Sequence, residues 1–147
     1  MDENAKKLLD RLEAQCSKRE CCTHDVRMKA FKALDGDSAA ADEIVASLVK
    51  DRFVDDLRYA SAFAREKSSL TGWGPVKIRF ALRAKGIGES DISAALEEVD
   101  SDKALERLRR LIEQKRKSLE GDPQIRLKLI KFALSRGYDY KDLEKLV

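Results

Sequence analysis

The chain has little of what most enzymes and sheet proteins are built from. Its 147 residues include one His, one Trp, two Pro, seven Gly and three Cys. So few glycines and prolines cannot punctuate a turn-rich sandwich or barrel, and an all-α fold is expected. The single histidine, His24, leaves no second imidazole for a metal site or a proton relay. Cys16, Cys21 and Cys22 are odd in number and lack framework spacing, which argues against a disulfide-stapled scaffold. Adjacent cysteines followed by His24 do not form a structural zinc pattern, so no metal or cofactor is expected. No apolar run approaches the roughly 20 residues that cross a bilayer. The opening MDENAKKLLDRLE is charged and helical rather than signal-like, so the expected location is the cytoplasm.

What the chain has in quantity is charge. Charged residues make up 39% and apolar residues 43%, with a formal net charge of +3. That balance suits a molecule with much surface for its volume, such as an elongated helical protein. Apolar residues at helical spacing predict nine helices. Leu8, Leu9 and Leu12 mark the first, and Thr23 reads as the N-cap of a second bearing Val26, Ala30 and Phe31. Ile44, Val45, Leu48 and Val49 mark the third. Asp55 reads as the cap of a fourth, with Leu57, Ala60 and Phe63 or Ala64 facing inward. After TGWG comes a fifth helix, VKIRFALRAK, with Val76, Ile78, Ala81 and Leu82 expected inside. A sixth starts at Glu89 or Ser90, a seventh covers about 102–118, an eighth runs from Gln124 to Ser135 after a helix-start proline, and a ninth spans 140–146.

Nine helices invite a search for repeats. At an offset of 51 residues, KIRFALRAKGIGESDI meets KLIKFALSRGYDYKDL, so that Gly86 meets Gly137, Ile87 meets Tyr138 and Ile92 meets Leu143. Each copy has an amphipathic helix, a glycine at its C-cap, an apolar residue behind it and an acid in the next helix's first turn. The first unit matches more loosely. Three units are expected, at 1–52, 53–99 and 100–147, stacked in an elongated, curved array that shares apolar surface between neighbours.

The catalytic inventory is thin. Adjacent carboxylates such as Asp55 and Asp56 point to different sides of a helix, and GWGPVK lacks the Lys-Ser/Thr ending of a phosphate loop. The chain is therefore not expected to be an enzyme. Charge is instead sorted along it. Residues 35–56 carry seven acids against Lys50 and Arg52, whereas residues 65–87 carry six bases against Glu66. The seventh helix adds Arg109 and Arg110 among other bases. Solvated helix faces explain part of this pattern. On the fifth helix, however, Lys77, Arg79, Arg83 and Lys85 have no acid to pair with at i+4 within the helix, and unpaired basic surface suits an anionic or acidic partner. Trp73 reads either as a wedge between helices four and five, the preferred reading, or as a contact aromatic.

The stretch FVDDLRYASAFAREKSSLTGWGPVKIRFALRAKGI, residues 53–87, resembles the central signature of RecX regulatory proteins. The resemblance is carried by Arg58, Tyr59, Ala60, Phe63, Arg65, Gly74, Ile78, Leu82, Lys85, Gly86 and Ile87. IKFALSRGYDYKDL is similar to the family's closing repeat, and CSKRECCTHDVRMKAF to its weaker opening segment. The resemblance implies three tandem three-helix repeats. It also implies binding to the RecA recombinase and its filament on single-stranded DNA, inhibition of recombinase and coupled ATPase activity, and weak direct DNA binding in some members. On this reading the expected binding face is Lys77, Arg79, Arg83 and Lys85, with Arg65, Lys67, Arg109 and Arg110 secondary. Arg58, Tyr59, Trp73, Gly86 and Gly137 are expected to be structural, and the protein to act as a monomer away from membranes. A helical module that binds nucleic acid directly, without RecA, is the alternative.

Overall fold

The computed structural model describes all residues, 1–147, and is all-helical. The helices are α1 (Glu3–Lys18), α2 (Thr23–Ala33), α3 (Ser38–Lys50), α4 (Asp56–Ser69), α5 (Pro75–Ala84), α6 (Glu89–Glu97), α7 (Ser101–Ser118), α8 (Ile125–Ser135) and α9 (Tyr140–Leu143). Their main packing partners lie within the successive triads α1–α3, α4–α6 and α7–α9. These are tandem three-helix repeats.

No single core runs through the molecule. Leu8, Leu12, Val26, Ile44 and Leu48 centre one buried cluster, Ile78, Leu82 and Ile92 a second, and Leu108, Ile112, Leu129 and Leu143 a third. A compact monomer of 16.6 kDa would expose roughly 7,600 Å². This chain exposes 9288 Å², as an elongated row of small units should.

The capping chemistry is local and follows the sequence. The carboxylates of Asp2, Asp37, Asp55 and Asp100 accept the backbone N–H of Ala5, Ala40, Arg58 and Lys103, tying down the first turns of α1, α3, α4 and α7. Gly74 caps α5, and Pro75 occupies its first position, where a missing N–H costs nothing. The 51-residue recurrence has a backbone cause. Gly86 and Gly137 both sit at positive φ, and the next N–H reaches back across the turn, Ile87 to Leu82 O and Tyr138 to Ala133 O. Ile87 and Tyr138 then plug their clusters. The first unit is looser because its turn holds two left-handed residues, Asp35 (φ 53°) and Gly36 (φ 82°). The turn still ends in step, since the caps Asp37, Gly88 and Asp139 lie 51 residues apart.

Several sequence expectations need correction. Cys22, not Thr23, caps α2, and it makes no side-chain cap bond. The Thr23 N–H instead donates to Asp56 Oδ1 at 2.8 Å, so an α4 carboxylate serves the start of α2. Leu57 and Val76 are exposed rather than inward, and so are Phe31 and Val49. The buried stripe of α4 is Ala60, Ser61, Ala64 and Ser68. These small side chains let α4 approach α6 closely, and polarity alone does not mark them. Pro123 lies in the turn before α8 and not at its first position, because Asp122 and Gln124 close that turn. The ninth helix is one turn, Tyr140–Leu143.

Candidate functional site

The basic face of α5 is less free than its sequence suggests. Ile78 and Leu82 bury one stripe of the helix, which aims Val76, Phe80 and Arg83 outward. Arg79 pairs with Glu89 at 2.6 Å, and Arg83 pairs with the other oxygen of the same carboxylate. The hydrogen bond from Arg83, joined by the charge of Arg79, holds the Glu89 carboxyl below its ordinary range. The expectation that these arginines lack an acid is thus overturned. Their partner is at the start of α6, beyond the i+4 window, and the glycine turn brings it back over α5.

Lys85 is not a free cation either. Its Nζ lies 3.0 Å from both oxygens of Asp25 on α2, so it joins the first repeat to the second. Lys77 is half-buried. Its Nζ stands 4.6 Å from the Trp73 ring centre and donates to the Ser135 carbonyl at 3.4 Å. Lys67 also lies against Trp73, at 4.9 Å. The indole meets Phe63 edge-on and packs against the second cluster between α4 and α5. Arg65 pairs with Glu98, while Arg109 and Arg110 share Glu106 at 2.8 and 3.9 Å. The pairs of Arg65, Arg109 and Arg110 are exposed and exchange readily with a competing anion.

Two residues of the α5 face escaped the sequence reading. Phe80 is 75% exposed, and Val76 lies one turn before it. The signal was available: Phe80 falls midway between the buried Ile78 and Leu82, so it must point away from the core. The solvent face of α5 is therefore an aromatic flanked by Arg79 and Arg83, with Val76 beside it.

The residues expected to be structural sit at the joints between repeats. Arg58 donates to Glu20 at 2.7 Å and to the Arg52 carbonyl at 3.0 Å. Tyr59 stacks on Phe63, and burial pushes its hydroxyl up to about 12. Cys22, from the first repeat, lies fully buried in the second cluster. At the other joint the TGWGP segment meets the α8–α9 turn backbone to backbone. The Gly74 N–H donates to Arg136 O at 2.6 Å and the Val76 N–H to Gly137 O at 2.9 Å. Tyr138 then reaches the Ala104 carbonyl on α7 at 3.2 Å.

Burial raises the Cys16 thiol to about 12 and the Cys22 thiol to about 11, so neither is a thiolate near neutral pH. No three His, Cys, Asp or Glu side chains are arranged to hold a metal ion, and no helix is long and apolar enough to cross a membrane.

The same architecture and the same motif occur in known proteins. Residues 55–96 match the family description "RecX, second three-helix domain". The regulatory protein RecX of Bacillus mycoides is 34% identical over 102 residues, covering 68% of this chain and 38% of that protein. The RecX of Clostridium tetani is 32% identical over 115 residues, covering 76% of this chain and 52% of that one. The chain thus spans about half or less of the length of these relatives. Among solved structures, a crystal structure of regulatory protein RecX superposes with a TM-score of 0.87 at 25% identity, over 98% of this chain and 71% of that one. RecX from Lactobacillus salivarius superposes at 0.85 with 21% identity, over 99% and 96% of the two chains, and shares the fold. With the family's second three-helix domain matched over residues 55–96, 34% identity to one RecX and the same overall fold as another, the chain belongs to the RecX family of regulatory proteins.

Proposed function

We propose that this chain regulates the RecA recombinase in the cytoplasm, binding the RecA filament on single-stranded DNA as a monomer and restraining strand exchange and the coupled ATP hydrolysis. The observation that carries this reading is the exposed face of α5, which lies within the segment that matches the family. There Phe80 stands in water between Arg79 and Arg83. An exposed aromatic framed by arginines is the composition that dominates protein–protein contact energies. The three units, 1–52, 53–99 and 100–147, hold this face on a rigid middle repeat, and an elongated array spans several protomers of a filament. Glu89 acts as an internal stand-in for an acidic partner group: it keeps Arg79 and Arg83 extended and yields them when a partner carboxylate or phosphate competes. Lys77 and Lys85, originally counted with this face, contribute by fixing the repeats. Arg65, Lys67, Arg109 and Arg110 form its outer margin.

The test pairs two measurements. Affinity for bare single-stranded DNA and for RecA-coated DNA is compared at about 0.15 M salt, where exposed charges are screened beyond roughly 8 Å. Arg79→Glu with Arg83→Glu, and Phe80→Ala separately, are then assayed for inhibition of RecA-driven ATP hydrolysis. Preference for the filament and loss of inhibition at unchanged helicity are expected. Equal or tighter binding to bare DNA, or full inhibition by both variants, refutes the reading.

A further inference from the structure

The joint between the second and third repeats holds a basic groove distinct from the α5 face, sharing with it only the marginal Arg110. Arg107 on α7 donates to the carbonyl and hydroxyl of Ser68 at 3.0 and 3.3 Å. Arg136, at the end of α8, donates to the Thr71 carbonyl at 3.2 Å. Both guanidiniums are thereby pinned to one short stretch, residues 68–71, and neither meets a carboxylate. Arg110 follows Arg107 by one helical turn, and its nearest acid, Glu106, is 3.9 Å away. The three arginines line one open groove of about 410 Å³ together with Ser69, Thr71 and Gln114. No acid lines it.

Each pinned arginine uses one edge of its fork on a backbone carbonyl, leaving further N–H donors for the groove. A guanidinium is planar, always charged and matched to the spacing of two oxygens on phosphorus. The Thr71 hydroxyl and the Gln114 amide add neutral donors, which orient a phosphate without discharging it, while the Ser69 hydroxyl donates to the Arg65 carbonyl at 2.7 Å. We infer that this groove, between the 69–72 loop and α7, binds phosphate oxyanions. These come either from a single-stranded nucleic-acid backbone or from a free polyphosphate. Because Arg107 and Arg136 also hold the third repeat to the second, an occupied groove stiffens that joint. The inference stands apart from regulation of RecA and is tested without it.

Tripolyphosphate is titrated calorimetrically into the full chain at low salt, followed by a single-stranded oligonucleotide. Arg110→Glu and Gln114→Glu place a carboxylate in the groove without touching the joint. Arg126→Glu, exposed on α8, makes the same charge change elsewhere. Saturable tripolyphosphate binding is expected, weakened about tenfold or more by Arg110→Glu and clearly weakened by Gln114→Glu. Arg126→Glu should alter it by less than about threefold. If oligonucleotide binding falls in parallel and is competed by tripolyphosphate, the backbone is the source. If only tripolyphosphate responds, the ligand is a free polyphosphate. Absent binding, or an equal loss in Arg126→Glu and Arg110→Glu, overturns the site.

Discussion

Two glycines, each the N-cap of a helix and each at an ordinary negative φ, separate backbone preference from repeat docking. Gly74 (φ −84°) caps α5 and Gly88 (φ −68°) caps α6. Alanine is conformationally allowed at both, and at both it loses the same modest N-cap preference, about 1 kcal/mol. Their surroundings differ. A Cβ on Gly88 meets nothing within 4 Å, whereas one on Gly74 would lie 2.6 Å from the Gly137 carbonyl carbon and 2.8 Å from Tyr138 Cδ2. Favourable carbon contacts begin at roughly 3.5 Å, so the third repeat must retreat by close to an ångström. Overpacking of this kind costs about 1–3 kcal/mol. The retreat also stretches two short backbone hydrogen bonds, from Gly74 and Val76, at about 1 kcal/mol each. Gly74→Ala should therefore destabilise the chain by about 3–5 kcal/mol more than Gly88→Ala. Urea unfolding followed by circular dichroism measures the difference. Trp73, the only tryptophan, reports on the joint itself, and its fluorescence should change in Gly74→Ala before helicity is lost. A difference below about 1 kcal/mol, with an unaltered Trp73 spectrum, would refute the backbone-to-backbone account of this joint.

Two further outcomes follow from groups already described. Burial raises the Cys16 and Cys22 thiols from 9.0 to about 12 and about 11. Their contribution is therefore complete below pH 9 and is lost as pH climbs through 11 to 12, because the unfolded chain gives up these protons first. Stability measured by urea unfolding should fall progressively above pH 9, and a Cys22→Ala variant should show a shallower fall. If the α5 face binds the RecA filament as proposed, Glu89→Gln should strengthen that salt-sensitive binding, since it releases Arg79 and Arg83 together. Unchanged affinity and salt slope in a binding titration would mean that those arginines make no contact.

Features encoded within a few residues were legible in the sequence. Asp55 capped its helix because the acceptor and the N–H it serves are three positions apart. The paired turns at Gly86 and Gly137 were readable because one left-handed residue and one apolar plug suffice to make them. Legibility failed where the partner came from elsewhere in the fold. Leu57 scored as core by type, but α4 approaches α6 through Ala60, Ser61, Ala64 and Ser68, whose small size rather than apolarity sets the contact. Lys85 was counted as a free cation because Asp25 lies 60 residues away. The arginines of the 2–3 groove could not be grouped at all, since Arg136 reaches Thr71 across 65 residues. The candidate face is half visible: its charges stand out, while the outward direction of Phe80 follows only from its place between the buried Ile78 and Leu82.

The two joints between repeats rest on different physics. Between the first and second repeats charged side chains meet, Lys85 with Asp25, Arg58 with Glu20, and the Asp56 carboxylate on the Thr23 N–H, while Val54 and Phe53 pack into the first cluster. The ion-paired side chains are 30–42% exposed, so salt screens them and a competing anion displaces them at little cost. Cys22 is the one apolar side chain of the first repeat counted within the second cluster. Between the second and third repeats, by contrast, the main chains touch directly at Gly74 and Gly137, and no side chain can rotate away to loosen them. The α5 helix is the common member, since Lys85 near its end serves the first joint and Gly74 at its start serves the second. A partner that binds α5 thus acts on the element through which both neighbours are held. The first joint thus carries exposed ion pairs that salt screens, whereas the second carries a backbone contact that salt does not reach.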